Sequence, residues 1–266
     1  MQNIDPVYFL QPIVVIAFSV GLVIYWAFKR SFAGRVLVYS FFAYAGAIAT
    51  KYIVQIPTLN YVVSLYGAHS WQLGLYYGVQ TMIFEVGGAF LVARYAFSKS
   101  KMNLKDSEAY GIGLSFWENG VLLGILSLLN LVSVYFILAA GPSSVAEQMY
   151  NALNTTQPAL FYGPVQALRS VGLGILERVS SLFLHFSWGY LCVFAAVLKR
   201  YRYFLIALPM GLIDFFVPLA GAVSLVMFEL GLFGISVLAL AVAILVTRGD
   251  RRAQSQTEPT LAASPP

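Results

Sequence analysis

Charged residues are scarce in this sequence. They make up 10% of its 266 residues, whereas soluble domains carry about 25%, and hydrophobic residues make up 59%. This composition excludes an ordinary soluble domain and predicts a polytopic membrane protein. Cysteine is nearly absent too. The single Cys192 excludes an intrachain disulfide and a cysteine-based zinc site, and we interpret it as a small packing residue.

Several sequence motifs of known function are also missing. The chain has no Walker-type nucleotide loop and no Gly-Tyr-Gly ion filter. Its two halves show no visible relation of the kind that many transporters have. The net charge of +5 is compatible with nucleic acid, but the Lys and Arg residues concentrate in connections between apolar runs. We therefore expect no nucleic-acid partner.

Long apolar runs recur seven times, and each can cross about 30 Å of hydrocarbon as a helix. They predict an all-α bundle of about seven transmembrane helices. The first run has no basic segment before it and no small-residue cleavage site, so we expect a retained span. In the fifth run, Gly172 and Gly174 are candidate helix breaks. The runs cover residues 7–28, 34–55, 72–97, 108–140, 165–198, 203–221 and 223–247.

The basic residues alternate between connections. Those near residues 56–71, 141–164 and 221 are nearly free of Lys and Arg. Because basic connections stay in the cytoplasm, the N-terminus is predicted outside and the C-terminus in the cytoplasm. We expect the protein in the plasma membrane, surrounded by lipid. The basic residues follow spans one, three, five and seven: Lys29, Arg30, Arg35; Arg94, Lys99, Lys101, Lys105; Lys199, Arg200, Arg202; Arg248, Arg251, Arg252.

Residues 1–248 are predicted to form one transmembrane domain. Residues 249–266 are polar and rich in proline toward their end, which is typical of a disordered tail. The connection 141–164 is the only sizeable one on its side of the membrane. Its apolar residues recur at helical spacing and predict a short interfacial helix: Val145, Met149 and Leu153.

Ionisable and polar residues inside the apolar runs are the candidate functional residues. Glu177, Ser181 and His185 follow an i, i+4, i+8 spacing, which places them on one stripe of a helix. A charge at bilayer depth costs at least a few kcal/mol and is usually directed into the bundle or a wet cavity. We therefore expect one shared polar site. Three further acids lie in other runs: Glu85, Glu118 and Asp214.

Two carboxyls in such a site suit water activation, in which one acts as general base and a neighbouring donor stabilises an oxyanion. His185 could serve as donor, base or metal ligand, so whether zinc or no metal is bound stays open. Arg178 is always charged and needs a carboxylate partner, for which Glu118 and Glu85 are candidates. Each acid taken alone is equally well explained as a hydrogen-bonded packing residue.

Four segments, in order, resemble the YhfC family, which is grouped with the CAAX-processing intramembrane proteases. The resemblance implies a membrane-embedded peptidase whose glutamates activate water and whose histidines complete the site. The matching positions are Glu85, Glu118, Glu177, Arg178, His185 and Asp214. With Ser181 added from the helical stripe, we expect Glu85, Glu118 and His185 to be catalytic and Glu177, Arg178, Ser181 and Asp214 to support them. The segments are IFEVGGAFLVARY from Ile83, GIGLSFWENGVLLG from Gly111, ERVSSLFLHFS from Glu177 and LPMGLIDFF from Leu208.

The chain departs from the family pattern at three positions. Val86 stands where the family has a second glutamate, and Leu114 and Met210 stand where it has histidines. The chain is thus a divergent member by this resemblance. We expect an intramembrane peptidase acting on a membrane peptide. The alternatives are a catalytically inactive binding or scaffold protein of the same fold and a small-molecule or proton carrier.

Overall fold

A computed structural model describes residues 3–30 and 33–261, and this part of the chain is helical without strands. Seven helices are long and apolar enough to cross a membrane. The predicted all-α transmembrane bundle is therefore confirmed, and the chain is an integral membrane protein. The helices are α1 (Pro6–Phe28), α2 (Gly34–Tyr66), α3 (Trp71–Ser98), α4 (Leu104–Ala140), the short α5 (Ser143–Thr156), α6 (Pro164–Leu198), α7 (Arg202–Gly221) and α8 (Leu225–Leu261).

The helix α6 is the centre of the bundle. Of its most apolar 18-residue window, 72% is buried, against 17–33% for the other spans. It packs against α8, α7, α1 and parts of α3 and α4. Aromatic side chains fill its second half, where Trp188, Tyr190 and Phe194 are almost completely buried. A helix covered on so many sides can carry polar groups that face other protein rather than lipid.

The helices α3 and α7 approach each other closely through glycine. A Cβ added at Gly78 would lie 3.2 Å from the Cβ of Phe215, so a larger residue would push the two helices apart. The 3₁₀ conformation of residues Leu208–Ala222 winds this part of α7 tightly. This packing brings Asp214 beside α3, where the site lies.

Two local predictions about helix ends and breaks are wrong. The second span does not end near residue 55, because α2 continues through Pro57 to Tyr66. A proline is tolerated in a membrane helix where neighbouring groups satisfy the freed carbonyl. The proposed break at Gly172 and Gly174 is absent, since α6 is one continuous helix from Pro164 to Leu198.

The short helix predicted between residues 141 and 164 is present as α5. Met149 and Leu153 pack on a small apolar cluster that includes Phe161, whereas Val145 is exposed. This cluster closes one end of the bundle. It sits against the start of α1 and the start of α6.

The last helix runs further than the sequence indicates. α8 continues to Leu261, so residues 249–261 are helical where the composition predicts a disordered tail. Residues 262–266 lie outside the described residues, and the domain boundary at residue 248 stays a prediction. The orientation of the termini across the membrane also stays a prediction.

Candidate functional site

His185 lies between two carboxylates near the middle of α6. Its Nδ1 is 2.9 Å from Oε2 of Glu118, and its Nε2 is 3.3 Å from Oε2 of Glu85. The ring is 5% exposed. Nδ1 is also 2.9 Å from the carbonyl oxygen of Ser181, and each ring nitrogen donates a hydrogen bond only when it carries a proton. The structure thus brings three of the sequence-predicted residues, from α3, α4 and α6, into one contact group.

Both glutamates lie on π-helical turns. Glu85 falls in the turn Thr81–Val86 of α3, and Glu118 falls in the longer π segment Phe116–Ile125 of α4. A π turn contains one more residue than an α turn, and such turns occur often at functional sites. The extra residue rotates the following side chains by about 100° around the helix axis. The local backbone therefore decides which face of the helix each carboxylate takes.

Lys51 of α2 is a member of the site that the sequence interpretation missed. Its Nζ lies 2.5 Å from Oε1 of Glu85 and 3.1 Å from Oδ2 of Asp214. It also donates to Oγ1 of Thr81 at 2.6 Å, and that hydroxyl donates in turn to Asp214. These contacts join α2, α3 and α7 through one ammonium group. The available signal was simple: a lone lysine in the middle of an apolar run needs a partner as much as a lone acid does.

Glu118 is held on one side only. Oε2 accepts a hydrogen bond from Oγ of Ser181 at 2.8 Å, on the same edge as His185. Oε1 lies 3.8 Å from Nη1 of Arg178, and within the described part of the chain it accepts no hydrogen bond. One oxygen of this carboxylate is thus fixed, while the other remains available.

Arg178 has two acidic neighbours. It forms an ion pair with Glu177, whose side chain is 42% exposed, and it lies 3.8 Å from Glu118. Its guanidinium also donates to Oδ1 of Asn119 at 3.5 Å. Of the two partners expected from the sequence, the structure brings Glu118 near it and leaves Glu85 to Lys51.

The charged groups surround a cavity of about 270 Å³ within the bundle. One part of its wall is polar and includes the side chains of Lys51, Glu85, Glu118 and His185. The rest is apolar, and a cavity of this mixed character is the usual form of a small binding site. The apolar wall includes Tyr44, Ile48, Leu184, Trp188 and Ile213.

The donor set does not fit a catalytic zinc ion. Such an ion takes three protein ligands at about 2.0–2.3 Å, but Glu85 and Glu118 face opposite edges of His185. An ion on either ring nitrogen would therefore meet only one of the two carboxylates. Across residues 3–30 and 33–261, no cluster of three or more His, Cys, Asp or Glu residues is placed to hold a metal. Cys192 is fully buried in the core as a packing residue.

The second histidine lies apart from this group. His69 is in the connection between α2 and α3, and its Nδ1 contacts the carbonyl oxygen of Pro218 at 3.1 Å. It belongs to the far end of α7 rather than to the cavity lining. His185 is therefore the only imidazole among the residues that line the site cavity.

A family model described as YhfC intramembrane metalloprotease matches residues 14–227. The match begins in α1, ends in α8 and includes every residue of the site. No match was found among curated proteins, and none was found among solved structures.

Proposed function

The chain belongs to the YhfC intramembrane metalloprotease family, and from that premise we propose that it hydrolyses peptide bonds of membrane-embedded substrates. One observation carries this proposal. Two carboxylates, Glu85 and Glu118, flank one buried histidine, His185, beside a cavity inside the bundle. Carboxylates and a histidine in contact form an arrangement suited to proton transfer and charge stabilisation during amide hydrolysis.

We assign the general base to Glu118. Its Oε1 carries no hydrogen bond within the described chain, so this oxygen is placed to take a proton from a water molecule. The water oxygen bonds to the carbonyl carbon of the substrate. The positive charge of the protonated His185, whose ring nitrogens face the two glutamates, stabilises the oxygen on which negative charge develops. The carbon–nitrogen bond then breaks, and Glu118 returns the proton to the departing amine.

Glu85 is less suited to that role. Oε1 of Glu85 accepts from Lys51 and its Oε2 faces His185, so both oxygens are engaged. We assign it to holding the imidazole in its doubly protonated form. All three N–H groups of the Lys51 ammonium are matched by acceptors on Glu85, Asp214 and Thr81. The Lys51 contacts therefore hold Glu85 in place, and Glu85 positions the histidine. Glu118 is the carboxylate that acts as the base.

Cleavage of a synthetic transmembrane peptide by the purified protein tests the assignment. The peptide carries a fluorophore and a quencher on opposite sides of its apolar segment. Glu118→Gln is expected to reduce the rate by about 10²–10⁴-fold, the usual contribution of a general base, in protein that still folds, because Arg178 keeps Glu177 as its partner. Glu147→Gln, on the exposed face of α5, is the matched control. Full activity of Glu118→Gln would show that Glu118 is not the general base.

A binding or scaffold protein of the same fold is the second candidate. It is favoured by Val86, Leu114 and Met210, which stand where the resemblance has Glu, His and His. In a scaffold protein, the ion pairs of the site would hold the helices together and take no part in catalysis. The wild-type protein would then cleave no membrane peptide, with or without added zinc, and variants of Glu85 and Glu118 would both unfold.

We further propose that the protein resides in the plasma membrane with its C-terminus in the cytoplasm. The alternation of basic connections supports the orientation. Fractionation of cells that express a tagged chain tests the location.

A further inference from the structure

A second cavity, of about 320 Å³, adjoins the site cavity. The two share the side chains of Leu123, Glu177 and Arg178 as a common wall. From there the second cavity extends toward the end of the bundle that carries α5, since its lining includes Gln157 and Leu160 from the connection after that helix. We call this second cavity the vestibule.

Uncharged polar side chains line the vestibule. Gln11 comes from α1, Ser127 and Asn130 come from α4, and Gln157 follows α5. Within the described residues, none of these four side chains forms a hydrogen bond. Gln11 and Ser127 are half-buried, whereas Asn130 and Gln157 are exposed. A half-buried polar group without a partner in hydrocarbon costs several kcal/mol. The polar ends of Gln11 and Ser127 therefore require water or a polar ligand in the space that they line.

The position of Gln11 depends on a glycine of α6. A Cβ added at Gly174 would lie 2.6 Å from Cδ of Gln11, so a larger residue there would displace the end of this side chain. The glycine therefore serves packing rather than a helix break. It lets a polar side chain of α1 lie flat against the central helix, three residues before Glu177.

We propose that the vestibule admits water to Glu118 and binds the polar, uncharged backbone flanking the cleaved bond of a membrane peptide. Carboxamides present both donors and acceptors, as do the amide groups of an extended peptide. Glu177 and Arg178 stand at the inner end, where the vestibule meets the site. The peptide-binding part rests on the proposed function, whereas the hydration of the vestibule does not.

Cysteine accessibility tests the hydration without any assay of cleavage. Asn130→Cys and its neighbour Leu129→Cys are made in the 266-residue chain, whose Cys192 is fully buried. Leu129 is 57% exposed on the surface of α4 and does not line the vestibule. A thiol reacts as the thiolate and so needs water. We expect a charged methanethiosulfonate reagent to label Asn130→Cys at least tenfold faster than Leu129→Cys in bilayers.

Equal labelling rates for these two variants, or labelling of neither, would contradict the proposal that the vestibule holds water. Gln11→Cys provides an independent position on α1 and is expected to behave as Asn130→Cys does. Both substitutions are smaller than the native side chain, so neither needs extra room in the bundle.

Kinetics test the peptide-binding part. Asn130→Leu and Gln11→Leu are expected to raise KM about 3–10-fold each, the worth of one hydrogen bond, with kcat unchanged. An unchanged KM in both variants contradicts peptide binding there. If the wild-type chain cleaves nothing, the proposed function fails, and the labelling rates still decide whether the vestibule holds water.

Discussion

Replacing Lys51 by methionine is the most direct test of the ion network in the site. The Lys51 side chain is 12% exposed, and its ammonium contacts two carboxylates. Methionine keeps the length and apolar stem of the side chain but leaves Glu85 and Asp214 without their cation. Removing one partner of a buried ion pair destabilises by about 3–5 kcal/mol, because the remaining charge stays buried.

The exposure of the two acids narrows this range. Glu85 is 8% exposed and would be stranded in the core, whereas Asp214 is 34% exposed and can regain water. We therefore expect Lys51→Met to lower the free energy of unfolding by about 3 kcal/mol, near the lower end of this range. That loss corresponds to roughly a hundredfold change in the ratio of folded to unfolded protein. It is large enough to resolve by equilibrium unfolding in mixed detergent micelles.

A matched control and a double variant make the test specific. Lys101→Met removes an exposed lysine outside the site and should change stability by less than about 0.5 kcal/mol. Adding Glu85→Gln to Lys51→Met removes the charge that would be stranded in the core, so the double variant should recover part of the loss. The reasoning is refuted if Lys51→Met is as stable as Lys101→Met, or if the double variant loses the sum of the two single effects.

Three further predictions follow from other parts of the structure. Ser181→Ala removes a hydroxyl donor from Glu118 and should lower the cleavage rate about tenfold, and Ser181→Thr should restore it; equal rates for both variants contradict a positioning role. Gly111→Ala should destabilise the protein by at least 1 kcal/mol, because a Cβ there lies 2.6 Å from the carbonyl oxygen of Phe186. Gly172→Ala, with open space around it, is the control in the same thermal melts. A reporter after Arg252 should be cytoplasmic and one near Ser144 outside; the same side for both overturns the orientation.

The fold was largely predictable because the bilayer restricts the choices. A backbone in hydrocarbon must satisfy its own hydrogen bonds, so a long apolar run becomes a helix. The positions of helix ends and breaks follow weaker rules. The second apolar run ended at residue 55 and Gly172 was a candidate break in α6, yet α2 continues to Tyr66 and α6 is uninterrupted. Neighbouring helices decide such positions, and a single sequence does not show them.

Only the part of the site that lies on a regular α-helix was predictable from the sequence. Glu177, Ser181 and His185 belong to the uninterrupted helix α6, so the i, i+4, i+8 spacing gave their common stripe. Glu85 and Glu118 lie on π turns. The extra residue of such a turn changes the helix face on which each side chain lies, so the spacing of apolar residues no longer predicts that face. Their approach to His185 is a tertiary contact that no local pattern contains.

Lys51 was missed for a different reason. The positive-inside rule assigns lysines and arginines to the ends of spans, and Lys51 lies within the seven-span pattern without disturbing it. Its distance from Asp214 in the sequence also hides the pair, because these residues are 163 positions apart. The physical argument that singles out a buried acid applies equally to a buried base. Used for both signs of charge, it would have found this residue.

The three departures from the family pattern can be explained from what surrounds each side chain. Val86 is fully buried, and Leu114, 2% exposed, packs against Gly189 of α6, where a Cβ would lie 2.7 Å from its Cδ1. Met210 packs on the same core cluster. These positions therefore consolidate the bundle in this chain and do not line the site cavity.

The charged groups of the site pair with one another. Lys51 forms ion pairs with Glu85 and Asp214, and Arg178 forms ion pairs with Glu177 and Glu118. His185 contacts one glutamate from each of these two groups. Packing alone does not need such a set, since apolar residues of similar volume often replace buried ion pairs at no loss of stability. Its members are costly at bilayer depth. Oε1 of Glu118 lies 3.8 Å from Arg178 but accepts no hydrogen bond within the described chain, and Glu118 lines the cavity. A carboxylate oxygen without a hydrogen bond at a cavity can still accept a proton from water, and this is the reason to favour hydrolysis over the scaffold.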